Sequence, residues 1–396
     1  MNSVQAHPPG PVILVSDGWL ANSGDTAIYI ATTRSLQRMI PGARVAIAAH
    51  HRELVGGLYP ELDLVPPLDS VAGVRWPWTT EADLSERGTI ERVVDEADVV
   101  LAAGGGYLLE RYGPENRIRG YEEVLDRGKR LMFYAQSIGE FLDRDLGDRL
   151  RAVLEAAELV IVRDQPSLEV VRGQRSSENV HLTADEAFLF SSPHRPARPR
   201  SLLATVSAHA WERRGGEDEL DERSHLPTLA ATINRLLESG AVREVTLAST
   251  TQGLGGPDWA LEDDAMEARE VYDEILPRWR DQVEMVTGYL RPDQYAAIAR
   301  RHAVALSMRM HGAILAATAG TPVLIANASD KARALSDRTD GGIRGIANRG
   351  DLDRLEEFLI PLLDDPRAAL VRQNQAVEQM QAHASRNARL IAEALR

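Results

Sequence analysis

The chain has 396 residues, 44% of them hydrophobic and 26% charged, which suits a globular protein of two domains. It has no cysteine, so disulfides, thiolate catalysis and cysteine zinc sites are excluded. A formal net charge of −14 argues against general nucleic-acid affinity, and any anionic ligand then needs a locally positive pocket.

Residues 1–10 read as a loose tail, without the basic segment and apolar core of a signal peptide. No apolar run is long enough to span a bilayer. A cytoplasmic protein is expected, with peripheral membrane association left open. Val12-Ile13-Leu14-Val15 is a compact first strand. It enters a loop, residues 17–25, ahead of a helix over about 26–39. A Gly/Asn/Asp loop in that position is a ligand-loop arrangement, although the three spaced glycines of a dinucleotide fingerprint are missing. Asp25 is also placed to cap the helix, a role compatible with a functional one.

Further strands are expected at 44–49, 98–103, 130–134 and 159–162, with helices at 90–97, 118–127, 149–157 and 166–171, and residues 180–188 form a short element before the linker. Their exits carry Gly104-Gly105-Gly106, then Gln136-Ser137, then Arg163. Three glycines allow close approach of a ligand, and equally a tight turn. Arg163 can bind an anion, or pair with Asp164 or Asp185. In the irregular segment 60–80, Trp76 and Trp78 can stack on a sugar or pack beneath the loop.

Residues 191–200, with Pro193, Pro196 and Pro199, read as an extended linker. The expected divisions are therefore an α/β domain over 11–192, a second over 200–365, and a long helical segment over 366–396 that packs back. The second half repeats the α/β grammar, with strands at 202–207, 245–249, 283–287, 303–306 and 323–326. Its helices are expected at 226–239, 265–275, 292–301, 311–319 and 351–363. Arg309 and His311, after Ser307-Met308, fall between a strand's carboxyl end and a helix's amino end. Ligands bind there in open α/β sheets, and helix amino ends attract anions. Capping the helix and pairing with surface carboxylates fits their position equally well.

The strand exits together supply Asn22, Asp25, residues 104–106, Gln136, Ser137, Arg163, Arg309, His311 and Lys331. If they face one cleft, these cations would hold a small polyanion. The ten histidines are scattered, so no metal is expected. No phosphate-loop lysine motif or nucleophile elbow is present.

These residues resemble the polysaccharide pyruvyl transferase family. The motifs run from Asn22-Ser23-Gly24-Asp25 through Gly104-Gly105-Gly106-Tyr107-Leu108, Gln136-Ser137-Ile138-Gly139, Arg163-Asp164-Gln165-Pro166-Ser167 and Thr183-Ala184-Asp185. They close with Ser307-Met308-Arg309-Met310-His311-Gly312 and Ala319-Gly320-Thr321-Pro322. The resemblance implies an α/β chain of two Rossmann-like domains facing a central cleft, GT-B-like. It implies transfer of the enolpyruvyl unit of phosphoenolpyruvate to a sugar, glycan or glycoside acceptor, as a ketal across two hydroxyls, with release of phosphate. The first domain would take the acceptor and the second the phosphoenolpyruvate, with no cofactor beyond that donor.

Exopolysaccharide or cell-wall polymer assembly is the default setting. Arg163, Arg309 and His311 match donor-binding positions. Lys331, Asn22, Gly104, Gly105, Gly106, Gln136, Ser137 and Ser307 are the other expected substrate-binding residues. His311, with a reference pKa of about 6.5, is expected to protonate the donor's methylene. Asp25 or Asp185 would take the acceptor's proton.

The chain departs from the family pattern at Ala135, where glycine is usual, and at Glu140 and Glu186, where proline is usual. It also lacks a tyrosine at 327–329. Stretches 69–87, 211–225 and 253–264 are expected to shape the acceptor site. Two other classes remain, a GT-B-like glycosyltransferase using a sugar nucleotide and a non-catalytic sugar-binding relative. No nucleic-acid partner is expected, and homo-oligomerisation is left open.

Overall fold

The computed structural model describes residues 10–68, 87–174, 179–190, 198–207, 225–252, 263–327, 329–346 and 349–396. Trp76, Trp78, most of the linker and nearly all of the three expected acceptor stretches lie outside the described residues. The chain divides into two compact units. The first is Met1–Leu20, Ile28–Glu186 and His383–Arg396, and the second is Ala21–Ala27 and Ala187–Ala382.

In the first unit the strands are β1 (Val12–Trp19), β2 (Arg44–His50), β3 (Asp63–Val65), β4 (Val99–Ala102), β5 (Gly105–Leu108), β6 (Leu131–Ile138), β7 (Leu159–Val162) and β8 (Val180–Leu182). They form a parallel sheet in the order β3-β2-β1-β4-β6-β7-β8, with β5 alongside β6. β4 and β7 are apolar throughout and fully buried, the pattern of parallel strands covered on both faces. Helices Arg87–Glu96, Glu115–Asp126 and Arg144–Ala156 bury side chains at three- and four-residue spacing, such as Ile118, Tyr121 and Val124. These pack with Leu14, Val100, Phe133 and Val160 in one core. Each Val, Leu or Ile so removed from water contributes roughly 1.5–3 kcal/mol.

The second unit has β9 (Ser201–Thr205), β10 (Glu244–Ala248), β11 (Val283–Val286), β12 (Val304–Ser307), β13 (Val323–Ala326) and β14 (Arg344–Ile346). Their order is β11-β10-β9-β12-β13-β14, all parallel, which is the Rossmann order. Its reversal point lies between β9 and β12. A ligand is expected beyond the carboxyl ends of those two strands.

Several local expectations are corrected. β1 continues through Gly18 to Trp19, with a register shift against β2 after Val15, so the expected loop is shorter. The following helix, Ser23–Met39, begins earlier than expected. Its cap is Asn22, whose Oδ1 accepts from the amides of Gly24 (2.7 Å) and Asp25 (3.3 Å), so Asp25 is not the cap. Gln136 and Ser137 lie within β6 rather than after it. The long terminal helix is two helices, Pro366–Ala384 and Arg386–Ala394. Helix Asp330–Arg338 and strand β14 had no sequence expectation. Among the described residues, no helix is long and apolar enough to cross a membrane.

The backbone of β6 bears on one departure from the family pattern. β6 pairs with β4 through Phe133, then with β5 from Gln136. Between them Ala135 has φ of 50°, in the left-handed region. A side chain there costs about 1–2 kcal/mol, and glycine would give back roughly half of that gain as chain entropy. Glycine also forgoes a fully buried methyl worth about 0.8 kcal/mol, so Ala135→Gly is expected to leave stability within about 0.5 kcal/mol, read as an unchanged urea midpoint and slope.

Candidate functional site

The reversal point of the second unit carries a compact polar site. β12 ends in Ser307, whose hydroxyl donates to the carbonyl of Arg309 (2.7 Å) and so shapes the turn into helix Met310–Thr318. That helix closes at Gly320, φ 79°. There the amides of Gly320 and Thr321 return to the carbonyls of Ala317 and Ala316, a Schellman ending. Gly312 keeps the turn tight, since a Cβ there would lie 2.7 Å from Ser307 Oγ and 3.1 Å from the Tyr295 hydroxyl. Tyr295 is fully buried and shares a 2.7 Å hydrogen bond with Thr205 at the end of β9. Burial pushes its phenol well above the usual range, so it acts as a neutral strut.

Arg309 is aimed by a residue that the sequence reading did not single out. Its Nε and Nη2 donate to Oδ1 of Asp264, at 2.9 and 2.7 Å. The other oxygen of Asp264 accepts from the amides of Thr250 (2.8 Å) and Thr251 (3.0 Å) and from the Thr250 hydroxyl (3.0 Å). Asp264 is fully buried, and these five hydrogen bonds tie the exit of β10 to that of β12. The expected fork of Arg309 is thus turned, on one edge, toward a protein carboxylate.

His311 faces a stretch far away in sequence. Its Nδ1 lies 3.3 Å from Oδ1 of Asp25, and both side chains are largely buried. Residues 21–27 belong with the second unit. Asn22 bridges Thr251, Asn22 Nδ2 donates to Thr251 Oγ1 (3.0 Å), Ser23 N donates to Thr250 O (2.8 Å), and Ser23 Oγ donates to Leu290 O (2.6 Å). Gly24 makes the approach of the imidazole feasible. A Cβ on Gly24 would lie 2.0 Å from His311 Cβ and 2.7 Å from its Nδ1.

Lys331 stands in the first turn of helix Asp330–Arg338, after β13, the strand next to β12. Asn327 at that strand's exit donates from Nδ2 to Met308 O (2.6 Å), joining the two exits. Of the expected site residues, Asn22, Asp25, Ser307, Arg309 and His311 are therefore assembled in one unit.

Lys331 belongs to that unit too, and the remaining ones lie in the first. Arg163, buried after β7, ion-pairs through Nη1 with Asp185 and donates from Nε to Ser137 Oγ (2.8 Å). Ser137 donates in turn to Asp164, whose other oxygen accepts from the Ser167 amide (2.9 Å). Here the salt-bridge reading of Arg163 is the one the geometry shows. Gly104 and Gly105 have local reasons to be glycine: a Cβ would meet Tyr134 O at 3.1 Å and the Tyr107 ring at 2.4 Å, respectively. Gly105 and Gly106 open β5, with Gly105 opposite Gln136. The amide of Gln136 is fully buried, and among the described residues neither its oxygen nor its nitrogen has a hydrogen-bond partner.

Comparison with known proteins adds the following. The family model described as Polysaccharide pyruvyl transferase matches residues 22–329. A curated relative, Phosphoglycerate kinase of Corynebacterium urealyticum, is 23% identical over 297 residues. That alignment takes in 74% of this chain, and the chain spans 65% of that relative's length. Among solved structures, UDP-GlcNAc 2-epimerase from Neisseria meningitidis bound to UDP-GlcNAc is similar with a TM-score of 0.62 and 11% identity, over 97% of this chain and 99% of that one. The S. aureus MnaA–UDP co-structure gives 0.61 and 14%, over 95% and 94%. Spinosyn Rhamnosyltransferase SpnG complexed with thymidine diphosphate gives 0.55 and 14%, over 96% and 99%. These likenesses show the fold, a GT-B-like α/β class.

Proposed function

The chain belongs to the polysaccharide pyruvyl transferase family, and from that membership we propose that it moves the enolpyruvyl unit of phosphoenolpyruvate onto two hydroxyls of a sugar, glycan or glycoside. The product is a pyruvate ketal, and phosphate is released. The observation that carries this reading is the His311–Asp25 pair seated over Gly24 at the amino end of helix Met310–Thr318. Asp25 lies against Nδ1, and in this reading Nε2 is the atom that exchanges a proton with substrate.

Phosphoenolpyruvate must gain a proton at its methylene carbon before its central carbon can accept oxygen. In this reading His311 supplies that proton from Nε2. The first acceptor hydroxyl bonds to the central carbon and returns its proton to His311. The second hydroxyl bonds to the same carbon as the carbon–phosphate oxygen bond breaks, and its proton leaves with phosphate. Arg309, held by Asp264, and the helix amides would stabilise the anionic donor, with Lys331 as a further cation. Asp25 then orients the imidazole rather than serving as the acceptor's base. Arg163 and Asp185 brace the Ser137 segment of the first unit.

The test is incubation of the protein with phosphoenolpyruvate and a panel of β-galactosides and N-acetylmannosamine-containing acceptors. Phosphate release matched by one added pyruvyl ketal per acceptor, read by mass spectrometry, is the expected result. Thermal stabilisation and turnover with nucleoside-diphosphate sugars, and neither with phosphoenolpyruvate, would overturn the reading in favour of a glycosyltransferase.

A further inference from the structure

The first sheet has a reversal point of its own, between β1 and β4, and the exits of β1 and its neighbour β2 carry an aromatic cluster. Trp19 ends β1 and stands in register with His50 at the end of β2. The register shift after Val15 brings it there. Gly18 permits that shift, since a Cβ on Gly18 would lie 2.7 Å from the Ala49 Cβ. The Trp19 ring centre lies 4.7 Å from that of His51, nearly perpendicular at 84°, and 5.8 Å from that of His50. An edge-on pair at that spacing is a favourable aromatic contact, so Trp19 holds the His51 imidazole in one orientation.

His51 is held against its backbone preference. Its φ is 59°, in the left-handed region, where glycine would sit without steric penalty. Its side chain does not cap the short helix Arg52–Val55, so capping does not account for a side chain here. Backbone of that kind is kept where a side chain has a task, and strand exits are where ligands bind. His51 is partly exposed, while Trp19 and His50 are at most 9% exposed. Arg52, the permanent cation of the segment, is paired with Glu53 (3.2 Å). Among the described residues no group of three metal donors forms, so the two imidazoles are not a metal site. What the cluster offers is rings and hydrogen-bonding nitrogens beside a paired cation, which suits the neutral hydroxyls of a sugar better than an anion. Leu54 and Leu58, on the turns that follow, are exposed and add apolar surface for the C–H face of a sugar ring.

We propose that His51, oriented by Trp19, contacts the acceptor in the first unit: its imidazole hydrogen-bonds a sugar hydroxyl and so helps to select the sugar. Trp19 is a positioning residue for it. This deepens the reading above and rests on its assignment of a sugar acceptor. Arg309 and His311, the proposed donor groups, belong to the second unit, so a change at His51 is expected to act on the acceptor and not on the donor.

Saturation-transfer NMR of the whole chain with methyl β-galactoside and methyl N-acetyl-β-mannosaminide, in the absence of donor, tests the contact. Transfer to at least one glycoside is expected in the wild type. It is expected to be lost in His51→Gly, which keeps the left-handed backbone without strain and removes the imidazole. Equal transfer in the wild type and His51→Gly, or transfer to neither glycoside in the wild type, overturns the proposal. Should His51→Gly fail to fold, His51→Asn decides, because asparagine tolerates the same backbone but presents a shorter polar group. Transfer weakened in His51→Asn supports the contact, and transfer equal to the wild type overturns it. In turnover, His51→Gly should raise the acceptor KM roughly 10-fold, the worth of a neutral hydrogen bond, and leave the donor KM within about twofold. Glycoside binding that depends on His51 without ketal formation would strike the pyruvyl reading and leave this contact standing. Ketal formation with an unchanged acceptor KM in His51→Gly would strike this contact alone.

Discussion

Turnover of the His311→Gln protein is expected to fall by ~10²–10⁴-fold, with donor affinity changed by less than about tenfold. Glutamine is close to histidine in size and keeps an amide donor, so contact with an anion persists. It cannot carry a proton to carbon and recover it within a catalytic cycle. The loss therefore falls on kcat. Asp25→Asn separates orientation from chemistry. The side chain still presents an oxygen 3.3 Å from Nδ1 but no longer places a charge beside the imidazole, so the loss of rate should be smaller than for His311→Gln. Gly24→Ala gives an independent check. Its methyl carbon would overlap the His311 Cβ at 2.0 Å, so the imidazole must move and kcat should fall although no chemical group is lost. Normal turnover by His311→Gln would end the proton-transfer role.

Asp264→Ala is expected to destabilise the protein by about 3–5 kcal/mol, because it strands a guanidinium and two buried amides that now share one carboxylate. A melting curve reads this directly, and an unchanged midpoint would show that the carboxylate does not organise the site. Asp264→Asn isolates the functional part. The asparagine oxygen can still accept from Thr250 and Thr251, while its amide would face Arg309 and repel it. The fold should largely survive, with a donor KM raised by about 10–100-fold, the worth of a charge-assisted hydrogen bond. Arg309→Lys should behave similarly, since a point charge cannot satisfy Asp264 and a ligand along two edges.

How much of this was legible in advance differs from element to element. β4, β7, β12 and β13 are short apolar runs bounded by turn residues, and each formed where its pattern placed it. Helix Met310–Thr318 and its glycine ending were equally visible, because alanine-rich propensity and a left-handed glycine are local signals. The split of the terminal helix and the extension of β6 past Ala135 were not. Both depend on which neighbour the backbone meets: β5 takes over from β4 along β6, and the last helix seats Asn387 against Ala184 and Glu186.

The site shows the same division. Arg309 and His311 could be read from one stretch, since a cation and an imidazole at a strand-to-helix junction are local facts. Asp264 could not. It ends an acidic, glycine-rich stretch, and nothing in its own neighbourhood distinguishes it from the acids around it until β10 and β12 are brought to one sheet edge. Asp25 carried two roles in the sequence, helix cap and proton acceptor, and the fold gave the first to Asn22.

By itself, then, the sequence determined the α/β grammar, the parallel strands and the family, because apolar runs, turn glycines and ordered motifs act over a few residues. Only the tertiary structure decided partnership: that residues 21–27 leave the unit of their neighbours and place Asp25 on His311, that Asp264 takes Arg309, and that Asp185 takes Arg163. Ion pairs and hydrogen bonds act across about 3 Å of space with no regard for chain separation, so the sequence lists the charges without pairing them.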